Sequence, residues 1–128
     1  MDKLAALRRA VAVWAFAGLI GIPAMVYFDP FGGWQWQPEN PIYDQMIVSI
    51  YFALGVCALR AIRHPLEHVS FLWFVVISST THGGVMLYHA VVHPMHIGHL
   101  LGDVWILAGA LSLALPLLSL RARSDVRD

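Results

Sequence analysis

Four long apolar runs, covering residues 4–28, 43–62, 69–92 and 97–120, constrain this chain more than anything else in it. Each is at least about 20 residues, and a helix of that length crosses the roughly 30 Å hydrocarbon core of a bilayer. Spanning strands need only about 9–11 residues and alternate polar with apolar positions. These runs are continuous, so they read as helices. The composition agrees: 59% of the residues are hydrophobic and 12% charged, against about 45–50% and about 25% in soluble domains. The expected fold is all-α, an integral-membrane four-helix bundle in one domain over residues 1–128, with the lipid bilayer as its solvent. The formal net charge is zero, which removes any bulk electrostatic reason to expect a nucleic-acid partner. Cys57 is the single cysteine, so no internal disulfide can form and the redox compartment is not legible.

The basic residues predict an orientation. Lys3, Arg8 and Arg9 lie at the start of the first run, Arg60 and Arg63 between the second and third, and Arg121, Arg123 and Arg127 after the fourth. The two remaining connections contain no Lys or Arg. By the positive-inside rule both termini and the middle loop are cytoplasmic. A cleaved leader is the competing reading of the basic start. The first run exceeds the h-region length of about 7–15 residues, however, and Ile22 stands where a small residue would be needed before Ala24. A retained span is expected.

The first outer connection contains Asp29-Pro30, Gly32-Gly33 and Asn40-Pro41, all turn chemistry. Tyr27, Trp34, Trp36 and Tyr43 suit the headgroup layer, where an apolar ring with a polar tip anchors a helix end. A lid is the sharper alternative, with Asp29, Glu39 or Asp44 reaching inward. The second outer connection is short, centred on His93-Pro94-Met95. Pro94 disfavours helical geometry at His93 and suits the first turn of the next helix. The third and fourth spans should therefore form a tight antiparallel hairpin.

That hairpin brings histidines together. Five of the seven histidines lie between Thr81 and Asp103. At 100° per residue His82, Met86, His89 and His93 share one helix face, with Ser78 alongside. His96, His99 and Asp103 share a face of the fourth helix at i, i+3 and i+7. Folding about Pro94 brings His89 near His99 in depth and puts Asp103 within one or two turns of His82. A lone aspartate near a bilayer centre costs at least about 2.5–3.5 kcal/mol on insertion scales. It must pair, take up a proton or meet water, and His82, His89, His99 and the hydroxyls from Ser78 to Thr81 are its candidate partners.

Three uses of such a cluster follow. Imidazoles with a carboxylate suit Zn, Cu or non-haem Fe, and Met86 or Met95 would add soft ligands that favour copper. Two histidines on facing helices could instead hold haem, with Gly83, Gly84, Gly98, Gly102 and Gly109 giving room for the ring. The third use is a metal-free polar network that fixes the hairpin or relays protons. Plain packing competes with all three, because polar side chains and small residues hold membrane helices together without further purpose. The leading reading is a metal site of His82, His89, His99 and Asp103, binding Cu, Zn, Fe or haem, within a redox assembly or a homo-oligomer. The rival is an accessory or transport-type protein. No substrate-specific motif assigns a reaction.

His64-Pro65-Leu66-Glu67-His68 matches the H-x-x-E-H pattern of inverted zinc proteases. Here Pro65 and Glu67 fit a helix start better, since proline and a negative charge both suit a first turn. A third zinc ligand is also missing on that side, so a protease is not expected.

The stretch YFDPFGGWQWQPENP, the run from Met46 through Gly84, and GHLLGDV resemble a bacterial family of small integral-membrane proteins of unknown function. The likeness covers about Tyr27 to Leu107. Its pattern matches Asp29, Gly32, Gly33, Trp34, His82, Gly98, His99 and Asp103, and does not ask for histidine at His89, His93 or His96. The resemblance implies a smaller core of His82, His99 and Asp103, and a place in the bacterial inner membrane. A weaker similarity to DoxX-like four-helix membrane proteins implies the same architecture.

Overall fold

The computed structural model describes residues 2–29 and 40–124, without the side chains of Met95, His96, His99, Leu101, Asp103 and 121–124. The described chain is all-helical. Helix α1 runs over Lys3–Phe28, α2 over Pro41–Ala61, α3 over Val69–Val92 and α4 over Leu100–Ser124. Short 3₁₀ turns, Pro65–His68 and Pro94–His99, lead into α3 and α4. Three helical stretches are long and apolar enough to cross a membrane: Lys3–Phe28, Pro41–Ala61 and Pro65–Val92. The apolar part of α4 among the described residues, Val104–Leu120, is shorter.

Local chemistry sets the ends. The Asp2 carboxylate accepts from the backbone N–H of Leu4 at 3.0 Å and of Ala5 at 3.4 Å, satisfying donors that a helix start otherwise leaves open. Asn40 caps α2 through the Tyr43 N–H at 3.2 Å, with Pro41 in the first turn. Helix α1 closes on Asp29, at φ 37°, whose N–H donates to the Met25 carbonyl at 3.1 Å. Aspartate is among the few non-glycine residues that visit this left-handed region readily.

One π-helical turn, Ala17–Gly21, interrupts α1, and the Ile22 N–H donates to the Ala17 carbonyl five residues back. Pro23 follows directly. Proline has no N–H for the carbonyl four residues behind it and its ring crowds that carbonyl. A widened turn relieves the conflict, and such turns recur at functional sites.

The helices pack in the order α2, α1, α4, α3, so α1 is the shared neighbour of α2 and α4. Helices α3 and α4 form the expected antiparallel hairpin and share the most extensive interface. By contrast α2 and α3 meet only narrowly. Leu7, Val11 and Trp14 from α1, Leu72 and Val75 from α3, and Leu113 and Leu117 from α4 form the main core. These positions cluster at the end that carries the N-terminus and the loop between α2 and α3. There the Arg8 guanidinium donates to the Arg63 carbonyl at 3.0 Å. Outward-facing side chains such as Phe16, Ile50, Phe74 and Leu115 are large, apolar and more than half exposed. A surface of that kind suits lipid.

Two glycine contacts seat α1. A Cβ on Gly18 would stand 2.5 Å from the Tyr51 carbonyl oxygen and 2.8 Å from the Gly55 Cα, so the α1 and α2 backbones touch. On the other side the Trp14 indole lies over Gly109, where a Cβ would meet the ring at 2.9 Å. The indole N–H donates to the Gly109 carbonyl at 3.1 Å. Between helices in lipid, close van der Waals approach and hydrogen bonds supply the attraction that apolar burial supplies in water.

Gly18→Ala should therefore destabilise the fold by about 1–3 kcal/mol, the usual cost of overpacking, measured by unfolding in mixed detergent micelles. Gly84→Ala is the control, because a Cβ there would meet nothing within 4 Å. It should leave stability unchanged or raise it by up to about 1 kcal/mol, the helix preference of Ala over Gly.

Candidate functional site

His82 lies near the middle of α3, half-buried. Its ring meets Tyr51 of α2 edge-on, with centroids 6.2 Å apart and planes at 73°. The helical periodicity that groups His82 with His89 is correct, but that face flanks the buried stripe of α3 rather than forming it. Leu72, Val75, Val76, Ser79, Gly83 and Ala90 make up the stripe. His82 thus bridges toward α2, at the place where α2 and α3 otherwise barely touch.

His89 lies two turns further along α3, toward Pro94. Its ring stacks on His93 at 5.7 Å with planes 11° apart, and meets Tyr88 edge-on at 5.3 Å. The His82 and His89 rings therefore engage different neighbours and are not brought together. Among the described residues no group of three His, Cys, Asp or Glu side chains could hold a metal ion. His99 and Asp103, the other two expected ligands, have side chains outside the described residues, and so does His96.

The backbone still gives their level. A Cβ on Gly83 would touch Leu107 at 3.0 Å and Ile106 at 3.6 Å, so Gly83 faces residues 106 and 107 across the antiparallel hairpin. Counting back at 1.5 Å per residue puts Asp103 level with Met86 and Leu87. That is about 7 Å from His82 toward the Pro94 turn and about 4 Å from His89 away from it. His99 falls within about 2 Å of the level of His89.

Three of the four hydroxyls of this stretch are already engaged, and the fourth, on buried Ser79, lies about 11 Å from the level of Asp103. Ser78 donates to the Val75 carbonyl at 3.2 Å, Thr80 to Val76 at 2.7 Å and Thr81 to Ile77 at 2.9 Å. A hydroxyl bonded back into its own helix has no proton left to give a carboxylate. Of the partners expected for Asp103, the imidazoles remain the better candidates.

The H-x-x-E-H segment is a helix start. His64 precedes the 3₁₀ turn in a non-helical conformation, and Glu67 lies in that first turn. Glu67 and the His64 Nδ1 are 3.7 Å apart, both well exposed. The two histidines thus do not sit i, i+4 on one helix, the arrangement that zinc binding in those proteases needs.

The sequence over residues 3–126 matches DUF6632, a family of unknown function. The chain belongs to this family. DUF6632 assigns no activity, so what its members have in common here is a sequence pattern covering all four helices. No curated protein matches the chain, and no solved structure does.

The Tyr51–His82 contact reads out directly in a double-mutant cycle. Tyr51→Leu and His82→Leu should each destabilise, with a coupling of about 0.5–1.5 kcal/mol, as aromatic pairs show. Additive losses in detergent unfolding would mean that the contact contributes no stability.

Proposed function

We propose that this DUF6632 member is a four-span protein of the bacterial inner membrane, with both termini cytoplasmic, that carries a metal or haem-type site in its outer half. The site is built on Asp103 of α4 and His99 of the turn that leads into it, with His89 of α3 as the nearer imidazole in level and His82 on the far side of Asp103 as the alternative. The observation that carries it is the register of the hairpin. Gly83 against Leu107 supports a level for Asp103 between the two α3 histidines, at a depth where an ion or proton must neutralise it. Imidazole and carboxylate together suit Zn, Cu or Fe. A redox assembly or a homo-oligomer is the setting proposed for such a site.

The orientation draws support from the Arg8–Arg63 hydrogen bond, which joins two basic segments at one end of the helices. The fourth crossing is proposed for α4, whose apolar stretch Val104–Leu120 pairs along α3. Reporters fused to either terminus should give cytoplasmic signals, whereas a tag inserted in the connection between α1 and α2 should be reached from outside. A terminus reporting from outside would refute this topology.

A second reading is favoured by the Tyr51–His82 contact: the polar layer ties α2 to the hairpin, or relays protons, with no metal. One preparation separates the two. Full-length protein purified in detergent should carry stoichiometric metal, or a Soret band, lost in His99→Ala. Clean protein with neither would sink the metal reading. Asp103→Asn should then lower thermal stability or proton flux, and a variant unchanged in both would remove the second reading as well.

A further inference from the structure

Helices α1 and α4 do not close on each other along their whole length. Beside the π-turn of α1 lies a cavity of about 400 Å³, lined by Trp14, Ala17, Gly21, Met25, Gly102 and Trp105 among others. A second cavity, of about 560 Å³, continues toward the N-terminal end and reaches Arg9 and Asp2. The two have Val13, Trp105 and Gly109 in common, so they form one groove. Its upper part is apolar throughout, and its lower mouth is polar.

We propose that this groove binds one anionic glycerophospholipid from the leaflet at the basic end, with the phosphate at Arg9 and an acyl chain along Trp14 and Trp105. The proposal rests on the membrane-spanning reading and not on the histidine cluster. Three observations favour this occupant.

The first is charge. Arg9 is exposed and, among the described residues, makes no hydrogen bond or ion pair. Its neighbour Arg8 is committed to the Arg63 carbonyl. Asp2, the one acidic group among the described residues at the mouth, accepts two N–H groups of the first turn, where the helix end offsets its charge. The second is length. From Val13 to Met25 the groove follows about 18 Å of helix, close to half of a hydrocarbon core of about 30 Å. One acyl chain of one leaflet has that reach. The third is the local backbone, because the π-turn at Ala17–Gly21 and the small residues beside it form the groove wall. A Cβ on Gly21 would meet nothing closer than 3.9 Å, so the space there is open.

The experiment uses the full chain in phosphatidylcholine nanodiscs containing a small fraction of phosphatidylglycerol brominated on its acyl chains. Bromine quenches tryptophan at contact, and Trp14 and Trp105 line the groove. Quenching should exceed that from the same fraction of brominated phosphatidylcholine, and unlabelled phosphatidylglycerol should reverse it. Arg9→Gln should weaken the apparent affinity about fivefold, the preference one basic side chain near an anionic surface supplies. Gly21→Leu should abolish the excess by filling the apolar part. Arg60→Gln, which removes an exposed charge outside the groove, should leave it intact. Equal quenching by both lipids overturns the proposal, and so does an Arg9→Gln variant that behaves like Arg60→Gln. Cross-linked dimers without excess quenching would assign the groove to a second copy and overturn it too. Failure of the wild-type chain to insert would refute the membrane reading itself, whereas insertion without lipid selectivity refutes the lipid site alone.

Discussion

Contact between α1 and its two neighbours is made at glycine, and the arrangement of the remaining helices depends on it. In lipid the apolar faces of helices gain little from leaving their solvent, since acyl chains are as apolar as leucine. What selects one arrangement is how closely backbones approach and which polar groups meet. Gly18 and Gly55 let α1 and α2 touch backbone to backbone. Gly109 lets α4 accept the Trp14 ring and its N–H together. With α1 fixed on both sides, the α3–α4 hairpin is carried along, because among the described residues its most extensive contact with the rest of the chain is that of α4 with α1.

The same geometry explains why the polar residues sort as they do. The well-packed core lies toward the basic end, where α1, α3 and α4 interlock. His82 and His89 of α3 fall in the other half, and His82 enters the narrow junction between α2 and α3. A polar side chain is tolerated where packing is loosest and a ring partner is at hand.

Much of the helix pattern was legible because length and apolarity are local properties. Pro94 announced the turn before α4 and Pro65 a helix start, since proline acts on its own backbone and its immediate neighbour, whereas Asn40-Pro41, read as turn chemistry, turned out to cap and open α2. The π-turn was not read from the sequence, although Pro23 carries its cause; whether proline kinks, ends or widens a helix depends on what packs beside it. The pairing of Trp14 with Gly109 was equally hidden, because residues so far apart leave no spacing to read. For the candidate site, periodicity put His82 and His89 on one face but could not say which helix that face would meet. Tyr51 was missed for that reason, and an aromatic on an otherwise small-residue face of α2 was the one available hint. His99 and Asp103 were expected on one face of the fourth helix, but His99 falls in the 3₁₀ turn Pro94–His99 ahead of α4, and both side chains lie outside the described residues.

The Trp14–Gly109 bond spans 95 positions of sequence, and this has a consequence for biosynthesis. Chains are made at roughly 5–20 residues per second, so α1 waits several seconds before α4 exists. Through that interval its indole N–H and the seat for Gly109 face whatever molecules surround it. The first helix is therefore held in an unfinished state by the order of synthesis, and only the last quarter of the chain can complete it.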